Sequence, residues 1–179
     1  MGQLTNPVLE AIRKRRSVIR FETVPIEEEK IQAVLDAGRW APSWLNKQPW
    51  RFLLVRDPEI KTNLSQYVPT IFNLGVKEAP LCIAVCVDSS EDPFHYVEDG
   101  AAATQNMALA AHSLGLGSCW IGVYDLKGER DSAETKIKEI LRMPKTFRVI
   151  ALLPIGVPRL VRESGRKGLP DLVYQDRFR

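Results

Sequence analysis

An alanine-rich segment places the strongest constraint on how this chain of 179 residues folds. Residues 96–114 have helical character and are apolar nearly all round, since six alanines share the segment with Met107 and Leu109. A helix without a polar face must be buried on most of its sides. We therefore expect a layered fold around this helix, with a second subunit as one source of its burial.

The rest of the chain alternates between apolar strand patterns and amphipathic helix patterns. Strands are predicted at 50–55, 81–87, 118–123 and 147–155. Helices are predicted from Pro7, over 26–37 with Gly38 as its end, over 59–67, and over 131–142 with a capping box at its start. Residues 68–79 fit a helix, a loop or a flap. Helices first, then strands interspersed with helices, predict an α+β or α/β layer fold.

Composition excludes several classes of protein. The net charge of +3 is too small to indicate a nucleic-acid partner, and no apolar run is long enough to span a bilayer. Three cysteines are an odd number, which argues against a disulfide framework, and the two histidines lack metal-site spacing. We expect a soluble cytoplasmic protein with reduced cysteines and no metal, membrane or nucleic-acid partner.

A tryptophan-rich loop follows the second predicted helix. Residues 39–50 hold three tryptophans and two prolines within twelve positions. Closely spaced prolines oppose a helix, so a rigid loop with aromatic walls is predicted. Such a loop either binds a flat ligand with polar edges or plugs the core with its tryptophans.

Side chains that carry catalysis by themselves are missing from the sequence. There is no dinucleotide fingerprint, no phosphate-binding P-loop and no nucleophile elbow. Cys119 is interpreted as a buried thiol and His112 as a structural or interface histidine, while Glu98 and Asp99 suit the start of a helix. If the protein is an enzyme, a cofactor carries its chemistry.

Several motifs in register resemble one family. They are Arg15-Arg16-Ser17 with Phe21, Ala41-Pro42-Ser43-x-x-Asn46-x-Gln48-Pro49-Trp50, the run from Gly115 to Gly122, and Gly156-x-Pro158 with Arg166-Lys167. Over about residues 7–172 the chain resembles the FMN-dependent nitroreductase family.

The resemblance implies an architecture and an activity. The expected fold is an α+β, three-layer α/β/α sandwich with a central, mostly antiparallel mixed sheet, in an intertwined homodimer. Residues 1–179 would form one domain, with 157–179 as an extended tail on the partner subunit. The expected activity is ping-pong transfer of hydride from NAD(P)H, through FMN, to nitroaromatics, quinones or similar small molecules.

The resemblance also implies which residues bind the cofactor. They are Arg15, Arg16, Ser17, Pro42, Ser43, Trp44, Asn46, Trp120, Ile121, Gly122, Arg166 and Lys167. The arginines, Ser17 and Lys167 would hold the phosphate, since guanidinium forks match phosphate oxygens. The four residues of the tryptophan loop would line the flavin of the partner subunit. Gly122 would direct its backbone N–H at flavin N5, and no side chain is expected to be catalytic.

One position departs from the family pattern. The family commonly has a basic residue two places after the serine, where this chain has Ile19, followed by Arg20. This leaves the choice between NADH and NADPH open. The short 68–79 segment predicts a compact lid and a broad acceptor range. Flavin fragmentation, reductive dehalogenation and a non-catalytic flavin-binding role remain as alternatives.

Overall fold

One sheet forms the middle of the molecule. The computed structural model describes residues 4–178. The strands are β1 (Trp50–Val55), β2 (Leu81–Asp88), β3 (Gly117–Ser118), β4 (Ile121–Gly122) and β5 (Phe147–Gly156). The order is β1-β2-β5-β3, and β4 also pairs with β5, all antiparallel. A parallel bridge between Ser17 and Ser118 makes the sheet mixed.

Helices cover both faces of the sheet. They are α1 (Pro7–Lys14), α2 (Glu28–Arg39), α3 (Pro58–Ser65), α4 (Thr70–Glu78), α5 (Tyr96–Ser113) and α6 (Ala133–Ile140). On one face, α2 and α5 bury residues such as Val34 and Met107 against Ile83. On the other face, Leu64, Val76 and Ile137 of α3, α4 and α6 pack on alternate strand residues. The predicted α+β, three-layer α/β/α architecture is confirmed.

The strand predicted over 118–123 is divided into β3 and β4. Both halves keep one register against β5, with Ser118 opposite Ile155 and Ile121 opposite Leu152. Cys119 donates its N–H to the carbonyl of Pro154 at 3.3 Å. Proline has no N–H with which to return the second bond of the pair, and the ladder is interrupted there.

Two predicted helix ends are wrong. Gly38 lies inside α2, where a Cβ would come within 2.8 Å of Met107 and 2.9 Å of Phe52, so close packing requires the glycine. Ser132 caps α6 through Thr135, as expected of an N-cap, but Glu134 takes no part in a capping box. Gly115 follows Leu114, the C-cap of α5, with a φ of +77°, a left-handed conformation that glycine commonly adopts just after a helix.

The start of the C-terminal segment lies along the segment after α1. Phe21 and Pro158 form an antiparallel bridge, and Arg159 donates its N–H to the carbonyl of Arg20 at 2.9 Å. From residue 159 to 178 the side chains are exposed, including Leu172 and Tyr174. Within residues 4–178, every helix is too short or too polar to cross a lipid bilayer.

Candidate functional site

A basic turn joins α1 to the edge of the sheet. Asn6 caps α1 by accepting the Leu9 N–H at 2.9 Å, and the helix ends at Lys14. Ser17 then bridges to Ser118, and Val18 donates its N–H to the Ser118 carbonyl at 2.9 Å. The sheet therefore fixes the backbone that carries Arg15 and Ser17.

Positive charge gathers at this turn. Burial and the nearby charges of Arg15, Arg16 and Lys14 lower the pKa of His112, which lies near the end of α5. Within the described residues, the side chain of Arg15 makes no hydrogen bond or ion pair. A half-buried, uncommitted guanidinium among like charges is suited to binding an anion.

The other three basic residues predicted for this site differ from Arg15. Arg16 donates from Nη1 to the carbonyls of Arg13 and Arg15 at 2.6 and 3.0 Å, and Nη2 lies 3.3 Å from Glu163. Arg16 therefore braces the turn, and its buried Nε has no hydrogen-bond partner within the described residues. Arg166 and Lys167 are exposed, and among residues 4–178 the Arg166 side chain bonds only to its neighbours Ser164 and Gly165. The described contacts of one chain do not join them to Arg15.

The outer edge of β3 and β4 offers backbone donors to a ligand. Cys119 and Val123 donate their N–H groups to β5 at 3.3 and 3.4 Å. Residues between them alternate in direction, so the N–H groups of Trp120 and Gly122 point away from β5. Gly122 is exposed, and a Cβ there would meet no atom within 4 Å. From Ser118 to Gly122 this edge is about 13 Å long.

Side chains on this edge also alternate. Trp120 is exposed, whereas Ile121 and Val123 are buried in the core against α6. The side chain of Ile121 therefore faces the core, and its backbone N–H faces β5 and not the outer edge. Trp120 and the bare surface at Gly122 leave room for a flat ring system along the outer edge.

The tryptophan-rich loop is a strained turn. We call residues 42–48 the shelf. Leu45, Asn46 and Gln48 have φ values of +46°, +58° and +55°, in the left-handed region that residues other than glycine rarely adopt. Such strain amounts to about 1–3 kcal/mol per residue and persists only where the surroundings enforce it.

Side chains at the beginning of α5 enforce the shelf geometry. Asp99 is 4% exposed, and its Oδ1 accepts the Trp44 N–H at 3.1 Å. The Trp44 ring stacks on His95 with centroids 4.2 Å apart, and Asp92 in turn lies 3.4 Å from His95 Nδ1. Within the shelf, Ser43 Oγ accepts the Gln48 N–H at 3.0 Å.

The sequence did not predict the contact between Asp99 and Trp44. Asp99 was predicted only to suit the start of a helix, where its charge interacts favourably with the helix dipole. Burial is the main cause of a raised pKa for Asp99, with the neighbouring carboxylates of Asp92 and Glu98 acting in the same direction. Its Oδ2 is buried and has no hydrogen-bond partner within the described residues. No sequence pattern links Asp99 to Trp44, because 55 positions separate them.

A second buried carboxylate fixes the segment after β4. Glu134 forms a two-pronged ion pair with Arg148, at 2.7 Å to Nε and 2.8 Å to Nη2. The same carboxylate accepts the N–H groups of Asp125 and Val149 at 2.9 and 3.0 Å. Arg148 also lies 4.6 Å from the ring centre of Tyr124. This network holds the backbone two to three residues beyond Gly122.

Ile19, the departure from the family pattern, is a packing residue. It joins the core beneath α4, where a Cβ on Gly75 would come within 3.4 Å of its Cα. Residues 70–78 form helix α4, which resolves the choice between helix, loop and flap, and its Val76 is fully buried.

The three cysteines are not suited to act as nucleophiles at this site. All three are buried and unpaired, and burial raises the pKa of Cys82 and of Cys86 to about 12. Residues 4–178 contain no group of three or more His, Cys, Asp or Glu side chains placed to hold a metal ion.

Fold and site together define a class of protein, in which one edge of an α/β/α sandwich offers an anion site and a place for a flat ring. Comparison with known proteins narrows this class. The model of the nitroreductase family matches residues 12–73 and 68–157. The chain belongs to the nitroreductase family.

Individual relatives cover nearly the whole chain. A Methanothermobacter thermautotrophicus protein, provisionally named NADH dehydrogenase/NAD(P)H nitroreductase, is 35% identical over 96% of this chain and 87% of its own. An FMN-dependent nitroreductase from Clostridium difficile has a TM-score of 0.82 at 33% identity, covering 95% and 99% of the two chains. A provisionally assigned nitroreductase from Desulfovibrio desulfuricans, solved in complex with FMN, has a TM-score of 0.82 at 32% identity over 98% and 100%.

Proposed function

We propose that this protein is an FMN-dependent oxidoreductase that takes hydride from NAD(P)H and passes it, by a ping-pong mechanism, to nitroaromatic, quinone or similar acceptors. The observation that carries the proposal is the outer edge of β3 and β4. The turn that carries Arg15 bridges to Ser118 at one end, and the outward N–H of Gly122 lies about 13 Å along the strand from Ser118. That spacing suits a phosphate joined to a flat ring through a five-carbon chain.

The residues of this edge have distinct roles in the proposal. Arg15 and Ser17 hold the phosphate, and Arg16 stiffens the turn that presents them. When bound, FMN supplies the hydride chemistry at its N5 atom. The Gly122 N–H donates a hydrogen bond toward that atom, and the absence of a side chain lets the backbone approach closely. Trp120 covers the ring edge and limits its contact with water.

A second copy of the chain completes the site in this proposal. Asp99, which bonds to the shelf, and His112, which senses the charge of Arg15, lie 13 residues and about 20 Å apart along α5. We assign Pro42, Ser43, Trp44 and Asn46 to the flavin bound mainly by the partner subunit. Arg166 and Lys167 join the phosphate site in the dimer, where the exposed part of the tail, from residue 160 onward, lies across the partner subunit.

Exposed apolar surface supports this assembly. Val8, Ile12 and Trp40 are 64%, 50% and 71% exposed, and a 430 Å³ groove between α1, α2 and α5 is lined mostly by apolar side chains. A contiguous apolar surface of this kind is typical of a protein interface. Light scattering should give the mass of a dimer; a monomer that retains FMN would contradict the shared site.

The buried, unpaired cysteines suit the cytoplasmic location that we propose.

The phosphate site is tested by Arg15→Ala. Loss of a charge-assisted hydrogen bond in a partly desolvated site should weaken FMN binding by about 2–3 kcal/mol. The measurement is an FMN titration followed by quenching of flavin fluorescence. Arg13→Ala is the matched control, because Arg13 is exposed and, within the described residues, its side chain bonds to the Leu4 carbonyl alone. Equal dissociation constants for R15A and the unchanged protein would remove Arg15 from the site.

A further inference from the structure

Trp44 depends on a contact from outside the shelf for its position. Its N–H donates to Asp99 Oδ1 at 3.1 Å, and this bond joins the shelf to the first turn of α5. The bonds of Asn46 to Ser43 and of Lys47 to Trp44 are local and move with the turn. The bond to Asp99 ties the shelf to α5, whereas the chain itself and the bond from Arg51 to the Gln48 carbonyl tie it to β1.

The shelf also stores strain that needs an external support. Three positive φ values in four residues would relax if the turn were free. Asp99 is fixed on a helix that the sheet buries, with Gly100 packed so closely that a Cβ would lie 2.5 Å from Ile150. The carboxylate is therefore a rigid point against which the strained turn can be held.

A second contact acts on the same residue. His95 stacks on the Trp44 ring, and Asp92 accepts the backbone N–H groups of Phe94 and His95 at 3.0 and 3.1 Å. The loop before α5 thus holds the ring of Trp44, while Asp99 holds its backbone. A cavity of 350 Å³ opens beside this pair, between the shelf and α5.

We infer that Asp99 is a positioning residue for the flavin site. Through the Trp44 N–H it holds the shelf where Ser43, Trp44 and Asn46 meet the cofactor and the acceptor. The inference rests on the proposed function, because it requires the shelf to contact a bound flavin. Asp99 touches neither the cofactor nor the acceptor in this account.

Two substitutions separate position from charge. In Asp99→Asn the amide oxygen still accepts the Trp44 N–H, so FMN affinity and kcat should stay within about threefold of the unchanged protein. In Asp99→Leu the acceptor is lost, and FMN affinity should fall roughly ten- to a hundredfold, with an increase in KM for the acceptor. Glu139→Gln removes one negative charge from the exposed side of α6, on the opposite face of the sheet, and should change neither quantity.

The contact itself is read directly from the amide resonance of Trp44. We expect its proton to resonate downfield in the unchanged protein and in D99N, and to move upfield in D99L. If D99L does not fold, D99S takes its place, because its hydroxyl is too short to reach the Trp44 N–H. Near-ultraviolet circular dichroism verifies that each variant is folded.

The outcomes distinguish this inference from the proposed function. Failure of the unchanged protein to bind FMN would overturn the proposed function, and the Trp44 resonance would still report the contact. Unchanged FMN affinity and KM in a folded D99L or D99S would overturn the positioning role alone. A loss in D99N as large as in D99L would show that charge acts here, and would also overturn it.

Discussion

Two buried carboxylates hold backbone beside the proposed flavin site, and they do so in opposite ways. Both oxygens of Glu134 are saturated, by Arg148 and by the N–H groups of Asp125 and Val149. Asp99 accepts one described bond, and its second oxygen is buried without a partner. The segment held by Glu134 has ordinary backbone geometry, whereas the shelf held by Asp99 has three residues at positive φ.

This difference separates a structural element from a functional one. A fully satisfied buried network specifies a single arrangement and stiffens the core around it. Strain and an unsatisfied polar atom are tolerated where ligand binding depends on them. We therefore assign the Glu134 network to holding the end of β4, and the Asp99 contact to tuning the position of the shelf.

The largest effect should come from breaking the saturated network. Glu134→Gln removes the charge partner of Arg148 from a site where Glu134 is 2% exposed. Loss of one partner of a buried ion pair costs about 3–5 kcal/mol, which urea unfolding should detect. Glu139→Gln, on the exposed side of the same helix, breaks a surface pair with Lys136 and should cost less than about 1 kcal/mol. Equal losses of unfolding free energy in E134Q and E139Q would contradict the structural role assigned to Glu134.

We expect a smaller effect for Asp99, whose contribution to the free energy of unfolding should depend on pH. The pKa of Asp99 is raised in the folded protein, chiefly by burial. Between the ordinary pKa of an aspartate and this raised pKa, the native state therefore binds more protons than the unfolded chain. Stability attributable to Asp99 therefore falls as pH rises from about 4 upward. The difference in unfolding free energy, D99N minus the unchanged protein, should increase with pH across this window. A difference that stays flat or decreases would contradict the raised pKa.

The parts of the fold predicted correctly follow from local patterns. The apolar runs of β2 and β5 are buried because their own residues demand it, and the alanine-rich α5 buries one face, which includes Ala103, Met107 and Ala111. The break between β3 and β4 depends on Pro154, more than 30 positions away, so the 118–123 pattern gave no sign of it. The sequence around Gly38 predicts a helix end. The real reason for the glycine is that Met107 and Phe52, which are distant in sequence, occupy the space that a Cβ would need.

The candidate site was predictable only in part, for the same reason. Arg15, Ser17 and Gly122 came from motifs, and the structure places them along one sheet edge. Asp99 and Glu134 were assigned to helix starts, because their partners Trp44 and Arg148 are distant in sequence and carry no spacing signal. The role of Arg16 as a brace became visible only with its bonds to the Arg13 and Arg15 carbonyls.

Hydride transfer to a flavin bound at the edge of β3 and β4 is the central property that we propose for this protein. The decisive measurement is an absorbance spectrum of the purified protein, supplied with FMN and recorded without oxygen before and after NADPH or NADH is added. We expect the bands of bound oxidised flavin, bleached by at least one of the two nucleotides and restored by a nitroaromatic or quinone. A protein that stays colourless after incubation with FMN, or a bound flavin that neither nucleotide bleaches, would contradict the account.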